Sequence, residues 1–119
     1  MKDEETRLFA EMLKAVAHPT RLRILEQLLR GAMCVSAVTK LVPARQVNVS
    51  QHLAVLRHAG LVDYVEHGAL RCYYLLRPSF AKGLLDLLNK EHQVITKSKD
   101  EVLKEMERVP KPARASRGR

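Results

Sequence analysis

Apolar residues along the first sixty positions recur mostly at spacings of three and four, and after that they alternate. Leu8, Phe9, Met12, Leu13 and Val16 lie on one face of an amphipathic helix predicted over roughly 4–17. Pro19 suits the first turn of a second helix, whose buried face is Leu22, Ile24, Leu25, Leu28 and Leu29 until Gly31 stops it. Met33 to Val35 reads as a brief strand, and Ser36 stands at the N-cap of a third helix, Ala37 to Val42, which Pro43 closes. After a turn of a few residues, Val49, Leu53 and Leu56 mark a further helix running from Gln46 to Ala59-Gly60. Two short helices joined by such a turn make a helix-turn-helix.

Beyond Gly60 the residues turn β-type: Leu61, Val62, Tyr64 and Val65, then Leu70, Cys72, Tyr73, Tyr74, Leu75 and Leu76, with His67-Gly68 near the tip of a hairpin. Pro78 ends the second strand. Phe80, Leu84, Leu87, Leu88, Val94, Ile95, Val102, Leu103 and Met106 then carry a long helical stripe, and Ser98-Lys99-Asp100-Glu101 has the form of a capping box at which that helix kinks or restarts. The predicted fold class is mainly α with a small β-hairpin wing, a winged helix-turn-helix. The first and last helices carry more apolar surface than a three-helix core covers. Either they fold back onto their own domain, or they form a two-fold interface between two copies.

A chain of 119 residues supports one core, here set at residues 1–108 and followed by a basic disordered tail over 109–119. Apolar residues are 46% of the chain and aromatics 4%, with no Trp, so the core is built from Leu, Val, Ala and Ile. The 21 Lys and Arg exceed the 13 Asp and Glu by eight, which favours a polyanionic partner without choosing among DNA, RNA and an acidic membrane surface. Part of that excess, Lys111, Arg114, Arg117 and Arg119, sits in the tail. The charged opening from Lys2 to Arg7 is unlike a secretory leader, and no apolar run approaches the ~20 residues of a bilayer span, so the expected location is the cytoplasm, with no membrane partner. Cys34 and Cys72 are too few for a secreted disulfide scaffold and are expected free, metal-bound or redox-sensing. No Gly-rich phosphate loop and no nucleophile beside a base is visible, which argues against an enzyme.

With Val49, Leu53 and Leu56 turned inward, Asn48, Gln51, His52 and Val55 face outward, with Gln46 and Ser50 beside them at the N-terminal end. An amide binds adenine bidentately and a valine touches a thymine methyl, and the first turns of such a helix reach the bases. Gln46, Asn48, Ser50 and Gln51 are therefore the candidate base contacts. Arg45, His52 and Arg57, with His67, Gly68 and Arg71 on the wing, are candidates for the phosphate backbone or minor groove. For the charged residues the competing reading is plain solvated surface, and for His52 a structural role.

The run Ala17-His18-Pro19-Thr20-Arg21-Leu22-Arg23-Ile24-Leu25, with Val49-Ser50-Gln51-His52-Leu53-Ala54-Val55-Leu56-Arg57-His58-Ala59-Gly60-Leu61-Val62, resembles the ArsR/SmtB family of winged-helix repressors. The likeness extends to Tyr73-Tyr74-Leu75 and covers roughly residues 8–95. It implies a sequence-specific repressor of double-stranded DNA, a homodimer joined by its first and last helices, with paired recognition helices in successive major grooves. A winged-helix module that binds only protein is the alternative. Arg45 departs from the Ser or Thr that usually caps this helix in the family.

Relatives of that kind often release DNA on binding metal or on oxidation. The family's arsenic or lead site has Cys-Val-Cys at the third helix; here Met33-Cys34-Val35-Ser36-Ala37 replaces the second thiolate with a hydroxyl, a poor set for a soft ion. The family's zinc pattern is broken as well, because Leu88 follows Asp86 at the second position and Ile95 follows His92 at the third. Asp86, Glu91 and His92 are accordingly read as solvated or ion-paired, and no metal site or cofactor is assigned. Because the short strand before the third helix pairs with the second wing strand in winged helices, Cys34 and Cys72 come within a few residues of each other. They are either a thiol sensor for an oxidant or a soft metal ion, or two ordinary small apolar residues.

Overall fold

The computed structural model describes residues 1–110, so Lys111, Arg114, Arg117, Arg119 and most of the predicted tail lie outside the described residues. The described elements are α1 (Asp3–Val16), α2 (Pro19–Leu28), β1 (Met33–Cys34), α3 (Val35–Leu41), α4 (Gln46–His58), β2 (Val62–His67), β3 (Leu70–Leu75), α5 (Pro78–Asn89) and α6 (Lys99–Arg108). The three strands form one antiparallel sheet in the order β1-β3-β2.

Local chemistry sets most boundaries. His18 caps α2 by accepting the Thr20 N–H at Nδ1, 3.0 Å away, while Pro19 occupies the first helical position, where no N–H is needed. Gly60, at φ +78°, ends α4: its N–H bonds to Arg57 O and the Leu61 N–H reaches back to Leu56 O, the paired bonds of a Schellman turn. Gly68, at φ +61°, is the first residue of a two-residue hairpin loop between His67 and Leu70.

Val49, Leu53 and Leu56 of α4 are buried against Ile24, Leu25 and Leu28 of α2, Val38 of α3, and Leu61 and Val62 at the foot of the wing. Met12, Ala15 and Val16 of α1 and Tyr73 of β3 close the same core. Full burial of one such Leu or Ile is worth about 1.5–3 kcal/mol, so this cluster fixes how α4 sits on the body and which of its faces points out.

Two expectations require correction. Ser36 does not cap α3; the helix begins at Val35 with Cys34 at the cap position, and the Ser36 hydroxyl meets the Cys34 sulfur at 3.2 Å. The stripe from Phe80 to Met106 is not one helix. It breaks at Asn89, where the His92 ring donates to Leu87 O at 2.6 Å, a carbonyl that also accepts the Lys90 N–H at 3.4 Å. Val94 and Ile95 lie in the connecting segment, largely exposed. The restart at Ser98 matches the expected capping box, with the Ser98 hydroxyl accepting the Glu101 N–H and the Glu101 carboxylate accepting the Ser98 N–H. α6 buries none of its side chains, and the described chain is 64 Å long with a radius of gyration of 20.1 Å. A compact chain of this length would have about 13 Å.

Candidate nucleic-acid interface

The α3–α4 pair is a helix-turn-helix joined by residues 42–45. Because Val49, Leu53 and Leu56 hold one side of α4 in the core, Gln46, Asn48, Ser50 and Gln51 are exposed in its first turns. Arg45 stands at the N-cap position, exposed and without a side-chain cap bond. Val47 is 59% exposed on the same side and Ala54 is exposed as well. Neither is among the sequence candidates, although the helical period alone puts both opposite Val49 and Leu53. A valine among amides is suited to a thymine methyl.

His52 departs from its expected outward place. It follows Val49 by three positions, so it sits at the border of the buried stripe, and its ring is half-buried. Arg21 of α2 donates from Nε to His52 Nδ1 at 3.1 Å and from its terminal nitrogen to Ala15 O at 3.2 Å, and the His18 ring lies 4.4 Å from that of His52. Burial, the neighbouring His18 and the Arg21 cation hold His52 below the usual histidine pKa of 6.5. It is a neutral tie between α4 and the α1–α2 junction instead of an outward-facing group.

Arg57 and Arg71 gather around one wing residue. Their guanidinium carbons lie 4.8 and 4.6 Å from the Tyr64 ring centroid, and Tyr64 in turn lies 5.2 Å from Tyr73, its cross-strand partner. Arg57 also donates to Asp63 at 2.9 Å. That bond, with the Tyr64 N–H donating to the same carboxylate oxygen at 2.8 Å, holds the Asp63 carboxyl below the usual range. Arg57 is thus partly neutralised before any phosphate arrives, whereas no acidic partner holds Arg71 among the described residues. His67 and Gly68 are exposed at the wing tip.

A groove of about 240 Å³ runs between the start of α3, the start of α4 and the wing, lined by Cys34, Ser36, Gln46, Ser50, Leu70 and Arg71 among others. It joins the candidate base contacts to the wing and to one thiol. Cys34 and Cys72 are directly opposite each other in the β1–β3 register, closer than the few-residue separation expected. On α5, Asp86 pairs with Lys82 at 2.7 Å, in keeping with its reading as an ion-paired residue.

A second exposed surface lies away from α4. On α1, Leu8, Phe9 and Leu13 are 46%, 40% and 49% exposed; on α5, Leu87 and Leu88 are 54% and 56% exposed. Phe9, Met12 and Leu13 line one cavity of about 400 Å³ together with Arg77, Ser79 and Phe80, so α1 meets the start of α5 across it, while Leu88 near the end of α5 lines a separate groove with Pro19 and Leu22 of α2. Among the described residues no helix is long and apolar enough to cross a membrane.

Residues 18–64 match the model of the bacterial regulatory protein, arsR family. The chain is 36% identical over 81 residues to the transcriptional repressor PagR of Bacillus anthracis, spanning 67% of this chain and 80% of that protein. The structure of HlyU from Vibrio cholerae superposes with a TM-score of 0.68 at 28% identity, covering 75% of this chain and all of the other. The homodimeric winged helix-turn-helix domain Mb0332 from Mycobacterium bovis superposes at 0.65 with 23% identity, covering 79% and 97%, a likeness of fold. With its helix-turn-helix, its wing and these relatives, the chain belongs to the arsR family of bacterial transcriptional regulators.

Proposed function

We propose that this protein is a cytoplasmic repressor that binds a two-fold symmetric site on double-stranded DNA as a homodimer. The observation that carries the proposal is the row of exposed polar side chains, Gln46, Asn48, Ser50 and Gln51, at the N-terminal end of a helix whose other side is locked in the core. Gln46, Asn48 and Gln51 offer amides to base edges, with Ser50 and Val47 beside them. Arg45 at the helix start, with Arg71 and His67 on the wing, meets phosphates or the minor groove, while Arg57 serves less directly through its bond to Asp63. The apolar faces of α1 and α5 supply the two-fold contact, which sets two copies of α4 about one helical turn of DNA apart. Repression follows when such a site overlaps a promoter and the dimer excludes polymerase.

The test is binding to a duplex carrying the gene's own promoter. A specific reader binds it far more tightly than an unrelated duplex, with affinity falling steeply as salt rises, and Asn48→Ala with Gln51→Ala removes the preference. Equal binding to both duplexes, unaltered by the double substitution, would contradict the proposal and favour a protein-binding module.

A further inference from the structure

Cys34 and Cys72 are Cα partners in the antiparallel β1–β3 pair, so both side chains leave the same face of the sheet. Both are free thiols and half-buried. β1 is an edge strand of two residues, bonded only to β3, whereas β3 is bonded on both sides. Cys34 also stands at the cap of α3, where the Ser36 hydroxyl and then the Ala37 N–H hold its thiol below the ordinary value, favouring the nucleophilic thiolate. The groove between α3, α4 and the wing opens on that sulfur, and Gln46, Ser50 and Arg71 line it too.

We propose that Cys34 and Cys72 are a reactive dithiol, oxidised by a small hydroperoxide to a disulfide within one subunit, and that this modification weakens duplex binding. The regulatory half rests on the DNA-binding reading given above; the chemical half does not. The Cys34 thiolate attacks the terminal oxygen of the hydroperoxide, the O–O bond breaks, and the departing alkoxide or hydroxide takes a proton, leaving Cys34 as a sulfenic acid. Cys72 then attacks the Cys34 sulfur, the S–O bond breaks, and the hydroxide leaves as water with the Cys72 proton. In sum, two thiols and one hydroperoxide give one disulfide, one alcohol or water, and one further water.

Facing residues of an antiparallel pair have Cβ atoms about 4.5–5.5 Å apart, while a disulfide needs roughly 3.8 Å, so closure draws the strands together by about 1 Å. The edge strand moves more easily, and because Cys34 is the cap of α3, the helix-turn-helix moves with it. Arg71 adjoins Cys72 in sequence, so the displacement occurs in the wall shared by the wing and the base-reading end of α4.

The experiment treats the full chain, Cys34→Ser and Cys72→Ser with hydrogen peroxide, blocks remaining thiols by alkylation, and maps the products by peptide mass spectrometry. The expected product is a loss of two hydrogens in the native chain and one peptide pair joined through Cys34 and Cys72 within a monomer. In Cys72→Ser a sulfenic acid trappable by dimedone collects at Cys34, and in Cys34→Ser the Cys72 thiol survives the same dose. Promoter-duplex affinity of the oxidised native chain falls about tenfold or more and returns with dithiothreitol, while neither variant responds. A Cys34 sulfinic acid beside an intact Cys72 thiol, or disulfides only between subunits, overturns the dithiol. A mapped disulfide with unchanged affinity overturns the regulatory half. Failure of the reduced native chain to bind any duplex overturns the DNA reading instead, and the peptide map still decides the chemistry.

Discussion

Arg21 Nε donates to His52 Nδ1 across 3.1 Å, joining the start of α2 to the middle of the recognition helix. An accepting Nδ1 requires the proton of the neutral ring to sit on Nε2. Burial of the ring and the neighbouring His18 hold the pKa of His52 below 6.5, and the Arg21 guanidinium, against which protonation would set an N–H, adds to both.

A pH dependence follows. Between the depressed folded value and 6.5 the unfolded chain binds more protons at this residue, so stability falls as pH drops below 6.5 and the loss ends once the folded ring is protonated too. Asparagine places an acceptor near the position of Nδ1 and does not titrate. The difference in urea midpoint between about pH 7.5 and about pH 5.5 is therefore expected to shrink in His52→Asn. An unchanged difference would show that His52 does not titrate differently in the folded and unfolded chains.

Gly60 tests the exit from α4. At φ +78° a side chain is strained even though a Cβ added there meets nothing within 4 Å, so Gly60→Ala lacks a steric clash and retains only the backbone cost. That cost is about 1–2 kcal/mol, read as a lowered midpoint in thermal or urea unfolding.

The apolar faces of α1 and α5 are expected to join two subunits. Leu13→Glu with Leu87→Glu alters side chains that are 49% and 54% exposed in the single chain, so helical content by circular dichroism should persist. Sedimentation equilibrium should then show a monomer where the native chain is a dimer, and duplex affinity should fall with it.

Base and phosphate contacts separate by their salt dependence. Gln51→Ala should cost about 1–3 kcal/mol on the preferred duplex and relax preference at one base pair. Arg71→Ala should weaken all duplexes alike and lower the slope of log affinity against log salt by about 0.9.

Much of this architecture was legible because the period of the apolar residues changes where the structure does. Val49, Leu53 and Leu56 were enough to orient α4, and Gly68 marked the turn of the hairpin. For His52, three positions after Val49 at the edge of the buried stripe, a helical wheel leaves an outward and a structural role both open, because its partner Arg21 lies thirty-one positions earlier, where spacing shows nothing. Ser36 looked like a cap by residue type, but the helix starts two positions after Met33, where β1 hands over directly to α3. The stripe from Phe80 to Met106 hid a break because Val94 and Ile95 keep an apolar rhythm while sitting in an exposed connection. The direct opposition of Cys34 and Cys72 depends on strand register, which residue types alone do not set.

Selection of bound duplexes from a randomised pool bears most directly on the role given to α4. The account predicts enrichment of an inverted repeat whose half-sites lie about one helical turn apart, ~34–36 Å, with the consensus lost when Asn48 and Gln51 are both replaced by Ala. A pool that stays random after repeated rounds, or a consensus that survives the double replacement, would contradict it.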